Sequence, residues 1–253
     1  MATGPLEDAM RIPRKYIDQS LAPDSVARPE EPGAHYLARV LRLRPGDPVV
    51  LFNGDGYDYA GEVLDPRCRE IGIHARVPAA AESPLELVLV QAVGKGDRMD
   101  TALQKASELG VFAVQPLFTE RTNVRLDGKR LLKRLAHWRG VVVAACEQSG
   151  RARVPEVREP CSLADYLAHG ASGGRDHVRL ALLPGAEQSL ASLGMPASAD
   201  IIVGPEGGFS DPEVKALSLA GALPVSLGPR VLRTETAGPA AIAVLQALGG
   251  DWR

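Results

Sequence analysis

The sequence predicts a two-part protein, a small β-rich domain followed by an α/β domain built on a mainly parallel sheet. Three observations predict it. Short strand-like runs cluster before residue 78 around a hairpin signal, a proline-bracketed stretch of small residues follows, and from Leu85 onward apolar runs of strand length alternate with helical patterns. At 253 residues the chain has the length of one or two domains and can bury a sizeable core.

Residues 1–9 read as a polar extension, and the first domain is expected over 10–78. From Glu31 a helical pattern places Tyr36, Leu37, Val40, Leu41 and Leu43 on one side until Pro45-Gly46-Asp47 ends it. Strands are expected at 48–52, 57–64 and 70–77. Asn53-Gly54-Asp55-Gly56 joins the first two, because Asn and Gly accept the positive φ of a tight hairpin turn. Residues 79–84, between Pro78 and Pro84, read as a linker. The second domain, 85–253, opens with an apolar strand over 85–93. A helix follows over 97–109, with Met99, Ala102, Leu103, Ala106 and Leu109 on one face and Gly110 at its C-cap. Further strands are expected at 111–118, 178–183, 201–203 and 225–227, with a short helix through Leu190, a helix from Asp211 and a final helix from Pro239 to Leu248. Strands alternating with helices imply a parallel sheet covered on both faces.

Composition narrows the function. The net charge of −2 does not announce a nucleic-acid binder, but residues 121–158 carry ten Lys or Arg against three acids, a local +7 that leaves −9 elsewhere. These cations (Arg121, Arg125, Lys129, Arg130, Lys133, Arg134, Arg139, Arg151, Arg153, Arg158) are expected to form an RNA-facing patch. Arg11, Arg14 and Lys15, with Tyr16 for base stacking, form a second basic cluster. Cys68, Cys146 and Cys161 are odd in number and far apart, and the five histidines are scattered, which argues against a disulfide framework, a metal site and a metal-dependent hydrolase. No apolar run has membrane-spanning length and no signal peptide pattern is visible, so a cytoplasmic protein without membrane attachment is expected.

Two segments carry the chemistry. Gly204-Pro205-Glu206-Gly207-Gly208-Phe209-Ser210 follows an apolar strand and precedes a helix, where open α/β sheets bind ligands. Ser210 and Glu213 fit a capping box. The loop lacks the Gly-Lys-Ser/Thr ending of a phosphate-binding loop and the Gly-x-Gly-x-x-Gly dinucleotide fingerprint, so it suits adenine and ribose edges better than a triphosphate. The second segment, Leu227-Gly228-Pro229-Arg230-Val231-Leu232-Arg233-Thr234-Glu235-Thr236-Ala237, again leads from a strand to a helix, with Pro239 placed near the helix start.

Together these segments resemble the cofactor loops of SPOUT-type methyltransferases, specifically the RsmE family, which methylates N3 of one uridine in 16S ribosomal RNA. The resemblance extends to Arg11-Ile12-Pro13-Arg14, Gly94-Lys95-Gly96-Asp97-Arg98-Met99, Gln104 to Gly110, and Glu147-Gln148-Ser149-Gly150-Arg151. It implies a PUA-like RNA-binding β-barrel at the N-terminus, a trefoil-knotted α/β methyltransferase domain, a homodimer, and S-adenosylmethionine as cofactor. It also implies 16S ribosomal RNA or the small ribosomal subunit as partner. Mapped onto this chain, cofactor contacts are expected from Leu183, Pro184 and Gly185, from Gly204, Pro205, Glu206, Gly207 and Gly208, and from Ser226, Leu227, Gly228, Leu232, Arg233, Thr234, Thr236 and Ala237.

A uridine N3–H is a weak acid, so its methylation needs a proton acceptor or stabilisation of the uracil anion. Arg233, or Arg11 or Arg14 of the N-terminal cluster, is expected to stabilise that charge, with Glu235 or Glu206 accepting the proton or orienting the arginine. Both carboxylates could instead only hold loop backbone. A ribose 2′-O-methyltransferase of the same fold is the nearest rival, and Arg233-Thr234-Glu235-Thr236 stands where those enzymes tend to carry an asparagine-containing motif. A catalytically silent RNA-binding protein is the other.

Overall fold

A computed structural model describes residues 12–122, 124, 127–168, 177–194 and 196–252. The expected extension 1–9 and Arg11, Arg125 and His169 lie outside the described residues. The chain forms two compact units: one ends at Glu82 and takes in Cys146–Val154, the other comprises Ser83–Ala145 and the residues from Pro155.

The first unit holds β1 (Arg14–Tyr16), β2 (Val26–Ala27), α1 (Glu31–His35), β3 (Pro48–Phe52), β4 (Tyr57–Val63) and β5 (Ile71–Pro78), with strand order β1-β3-β4-β5-β2. β1 runs parallel to β3 and the other pairs are antiparallel. β1 and β2 end the sheet at opposite sides, so the expected barrel is an open one among the described residues. The β3–β4 turn is the predicted hairpin: Gly54 and Gly56 sit at φ of 96° and 89°. α1 is shorter than its pattern because the chain slackens into a π turn over Tyr36–Val40, yet Leu37 is still delivered fully buried to a core with Leu51, Tyr59 and Ile71.

Cys146–Val154 belongs to this unit for reasons no local pattern shows. The Glu147 carboxylate accepts the Lys15 Nζ (2.8 Å) and the Tyr16 N–H (3.1 Å) of β1. Glu82, inside the expected linker, accepts the N–H groups of Ala152 (2.9 Å) and Arg153 (2.7 Å) and pairs with the Arg151 guanidinium at 3.0 Å. Arg151 is buried, so it leaves the expected RNA patch; its position is fixed by an ion pair within the unit.

The second unit is a parallel sheet of seven strands. They are β6 (Glu86–Ala92), β7 (Ala113–Phe118), β8 (Glu156–Val157), β9 (Cys161–Ser162), β10 (His177–Leu182), β11 (Ser198–Val203) and β12 (Leu223–Val225). The order is β12-β10-β11-β6-β7-β8, with β9 also on β7. Helices α2 (Arg98–Glu108), α3 (Gly128–Ser149), α4 (Leu163–Ala168), α5 (Asp211–Leu219) and α6 (Thr234–Gly249) connect or follow the strands. β6 and β11, at the centre, are buried along nearly their whole length, as covered parallel strands must be.

Two of the boundaries that differ from expectation matter for the site. β12 lies two residues earlier than predicted because Pro224, a donor lost to a central strand, is tolerated at the sheet edge. α6 starts at Thr234, so Pro239 is its sixth residue and not near its first position. The Pro239 ring has no N–H for the Glu235 carbonyl, one turn before it. Gly238 explains the close approach of this helix, since a Cβ there would stand 2.7 Å from Leu89 Cδ1.

The path into α6 is unusual. β12 is the outermost strand, beyond β10, yet Thr234 sits against the central strands: its hydroxyl donates to Gly204 O and accepts from Gln91 Nε2, both at 2.8 Å. Residues 226–233 therefore return across the C-terminal ends of β10 and β11. On the way they are pinned by the loop after β10, through Ser226 N–H to Gln188 O and Leu190 N–H to Ser226 O, each 2.9 Å. That crossing is the threading implied by a trefoil-knotted fold.

Candidate active site

Three loops meet at the C-terminal end of the sheet: the one after β10, the Gly204–Ser210 loop after β11, and the return segment 226–233. Between them lies a cleft partly open to solvent, with a cavity volume of about 150 Å³. Its walls come from the sequence segments that were expected to bind a cofactor: Leu183 and Pro184; Gly204, Pro205, Glu206 and Gly208; Ser226, Leu227 and Gly228; and Leu232, Thr234 and Ala237. Gly185, Gly207, Arg233 and Thr236, expected with them, do not line it. Leu182, Val203, Phe209, Val225, Arg230 and Val231 do; Leu182, Val203 and Val225 are strand ends outside both signature segments, which a motif search passes over.

Each loop is shaped by an identifiable constraint. In the Gly204–Ser210 loop, Gly208 takes a φ of 69° and its N–H closes a turn on Pro205 O at 2.8 Å. Gly204 has the Phe209 ring packed 3.1 Å from where a Cβ would stand. The expected capping box is present: Glu213 accepts the Ser210 N–H at 2.9 Å, and the Ser210 side chain faces the backbone N–H of Glu213. In the return segment, Gly228 has a φ of 92°, and the Arg233 carbonyl starts α6 by accepting the N–H groups of Thr236 and Ala237, both at 2.9 Å.

The candidate catalytic residues separate into two groups. Glu206 is anchored: Arg98, at the start of α2, bonds its carboxylate directly. Burial alone would raise its pKa, but hydrogen bonds from its own N–H, from Arg98 and from the Lys95 N–H carry it below the ordinary glutamate range. A carboxylate so held is a poor proton acceptor. Arg14 is likewise engaged inside the first unit, with Asp58 at 2.6 Å, the Arg151 carbonyl at 3.1 Å and the Phe52 ring 5.1 Å from its guanidinium carbon. Arg233 and Glu235 differ. The Arg233 side chain is 82% exposed, 4.0 Å from Glu235, whose own side chain is only 15% exposed. Glu235 Oε2 is buried with no hydrogen-bond partner among the described residues. A carboxylate in the first turn of a helix is favoured by the helix dipole, which accounts for its tolerance there.

The basic stretch 121–158 is not one surface. Arg121 donates to Gly207 O (2.8 Å) and Phe209 O (3.3 Å), Arg151 is buried, and Arg158 pairs with Glu156 at 3.4 Å. Lys129, Arg130, Lys133 and Arg139 on α3 remain exposed with no ion pair among the described residues. A separate cleft in the first unit is lined by His35, Arg39, Arg67 and Arg69, with Glu31 paired to Arg69 at 3.0 Å. Among the described residues no group of three or more His, Cys, Asp or Glu is arranged to hold a metal ion, and no helix is long and apolar enough to cross a membrane.

Residues 81–246 match the family model of an RNA methyltransferase domain, and residues 30–68 that of an RNA methyltransferase PUA domain. The chain is 34% identical to the ribosomal RNA small subunit methyltransferase E of Buchnera aphidicola from Schizaphis graminum, over 95% of this chain and 98% of that protein. It is 33% identical to that of Mycobacterium bovis, over 94% of this chain and 92% of the other. The chain belongs to the ribosomal RNA small subunit methyltransferase E family. Its fold agrees with a solved family member from Neisseria gonorrhoeae bound to S-adenosyl methionine, at a TM-score of 0.88, with 36% identity, 96% of this chain and 100% of that chain covered. The family places the cleft in a SPOUT-type α/β domain preceded by a PUA-like domain, as the sequence motifs implied.

Proposed function

We propose that this chain is an S-adenosylmethionine-dependent methyltransferase acting on N3 of a uridine in 16S ribosomal RNA, in the cytoplasm and as a homodimer. The observation that carries the reading is the cleft itself, in which both signature segments converge on one lining. Its walls fit the cofactor. Apolar Leu182, Val225, Leu232 and Phe209 can hold a flat base, and the backbone of 204–208 and 226–232 offers hydrogen-bonding edges for base and ribose. Among the described residues the lining carries one carboxylate, Glu206, and one cation, Arg230, too little positive charge for a triphosphate.

When bound, the cofactor supplies an electrophilic methyl group on a sulfonium sulfur that leaves as a neutral thioether. The chain must present N3 in line with that methyl and dispose of one proton. Arg233, exposed at the cleft rim, is placed to balance negative charge on the uracil oxygens as the N3 proton departs. Glu235, with an unpartnered carboxylate oxygen, is the group left to take that proton or to aim Arg233, because Glu206 is already held by Arg98. The exposed cations of α3 and the arginines of the first-unit cleft supply phosphate contacts. The 80% exposure of Val231 and 82% of Arg233 at the rim supports completion of the site by a second subunit.

Arg233→Ala is expected to lower kcat by about 10²–10³-fold, the range for loss of a charge-stabilising donor, while cofactor affinity stays near the wild-type value. Retained turnover excludes the assignment. For Glu235 the pH profile of Glu235→Gln decides: loss of the acidic limb is expected, and an unchanged rate and profile removes it as the base. Mass-spectrometric mapping of methylated 16S RNA after incubation with enzyme and cofactor tests the target; a 2′-O-methyl product or none overturns the N3 reading.

A further inference from the structure

We propose that Arg121 is a positioning residue for the Gly204–Ser210 loop, holding it from outside in the shape that receives the cofactor, and is not an RNA contact. The inference rests on the cofactor reading above and deepens it. Arg121 lies in the turn after β7, two strands away from the loop it grips. Its Nη1 donates to Gly207 O at 2.8 Å and to Phe209 O at 3.3 Å. Its stem lies directly over Gly207, where a Cβ would stand 3.4 Å from both Arg121 Cβ and Cδ.

The two faces of the loop are thereby divided. Gly204, Pro205, Glu206, Gly208 and Phe209 line the cleft, and Gly207 does not. A second tie joins the same two segments: Glu213 accepts the Glu120 N–H at 2.8 Å through one oxygen and the Ser210 N–H at 2.9 Å through the other. The Arg121 turn is itself closed, by Thr122 N–H to Thr119 O and Thr119 N–H to Thr122 Oγ1, both 3.0 Å. Two adjacent glycines unrestrained would sample many conformations, and ordering them on binding would weaken the ligand. A guanidinium whose Nη1 donates to both carbonyls removes that freedom beforehand, and its planar group, pre-organised for bonding, loses less rotamer freedom per hydrogen bond than a lysine ammonium.

Titration with S-adenosylmethionine and with a 16S RNA fragment tests this on Arg121→Ala and Arg121→Lys, alongside amide hydrogen exchange. Arg121→Ala is expected to weaken cofactor binding about 10-fold, and Arg121→Lys less. KM for the cofactor should rise with kcat at saturation nearly kept. RNA affinity and its salt dependence should not change, and amide exchange in 206–210 should quicken. A phosphate contact predicts the reverse: a shallower salt slope and weaker RNA binding with cofactor affinity intact. That outcome, or unchanged cofactor affinity in Arg121→Ala, overturns the proposal. If the wild-type chain itself binds no S-adenosylmethionine, the cofactor reading falls, and the clamp is then judged by exchange alone, where unchanged loop protection overturns it.

Discussion

The two ends of the parallel sheet use charge in opposite ways. At the C-terminal end, charged side chains tie the loops down: Arg121 on the Gly207 and Phe209 carbonyls, Glu213 on two N–H groups, Arg98 on the Glu206 carboxylate. The cleft they surround keeps a largely uncharged lining. At the N-terminal end, β10 and β11 bury an ionic cluster. Asp200, 1% exposed, meets His177 Nε2 at 3.0 Å, Arg179 Nε at 3.9 Å and the Tyr166 hydroxyl. Burial first, and then the neighbouring Asp200 charge, raise the Tyr166 pKa and keep its proton on the phenol. The same strands thus carry one end with a buried ionic cluster, in which Asp200 Oδ1 and Arg179 Nε lack a full hydrogen bond among the described residues, and an end whose ties are at the surface. The difference locates function: ligand-shaping contacts sit where they can be tuned without opening the core.

The sharpest way to break this contrast is Asp200→Ala. It strands buried Arg179 without its counter-charge and takes away the carboxylate beside His177 and Tyr166, and a loss of about 3–5 kcal/mol is expected, read as a lower midpoint in denaturant with cofactor affinity of the folded fraction unchanged. A stability near wild type would mean that the cluster does not anchor this end. Next in size is Thr234→Val, which leaves Gln91 and the Gly204 carbonyl without their shared hydroxyl. About 1–3 kcal/mol should be lost, and here cofactor binding should weaken too, because Thr234 is part of the cleft wall. Equal cofactor affinity would detach the cleft from the core contact beneath it. Glu213→Ala should cost about 1–2 kcal/mol through two lost charge-assisted bonds, with hydrogen exchange rising at Glu120 and Ser210; exchange confined to one of them would show that the carboxylate does not bridge.

The smallest effect is one of pH. The folded pKa of Glu206 is depressed, so its stabilising share is fully present above the ordinary value of 4.5 and is lost as pH falls through the lower folded value. Thermal midpoints measured downward from pH 5 should therefore fall less in Glu206→Gln than in wild type. Parallel curves would show that the Arg98 pair contributes nothing at the acid end.

Much of the fold was legible because its signals are local. The Asn53–Gly56 hairpin, the apolar runs of β6 and β11, and the glycine loop before Asp211 each announce themselves within a dozen residues. What escaped were partnerships over long sequence separations. Glu82 with Arg151–Arg153, or Glu147 with β1, can be read from no window, so Cys146–Val154 looked like part of the second domain. At the site, charge counting assigned Arg121 and Arg151 to an RNA surface, because a formal charge does not say whether a guanidinium faces solvent, a carboxylate or a carbonyl. The motifs located the cleft, although not every residue in them is on its lining: Gly207 packs under Arg121 and Arg233 stands at the rim. Apolar strand ends such as Leu182 and Val225 line the cleft without any motif, since nothing distinguishes them from core until the loops are in place.

The return of residues 226–233 across the ends of β10 and β11 also decides how much of the chain a ribosome must deliver before the cleft can exist. The loop after β10 holds this segment at Ser226, and Thr234 at its far end is held by Gly204 and Gln91. Synthesis runs from the N-terminus, so every strand of the sheet is made before the last wall of the cleft. A nascent chain that stops short of Thr234 has the whole sheet without the whole cleft.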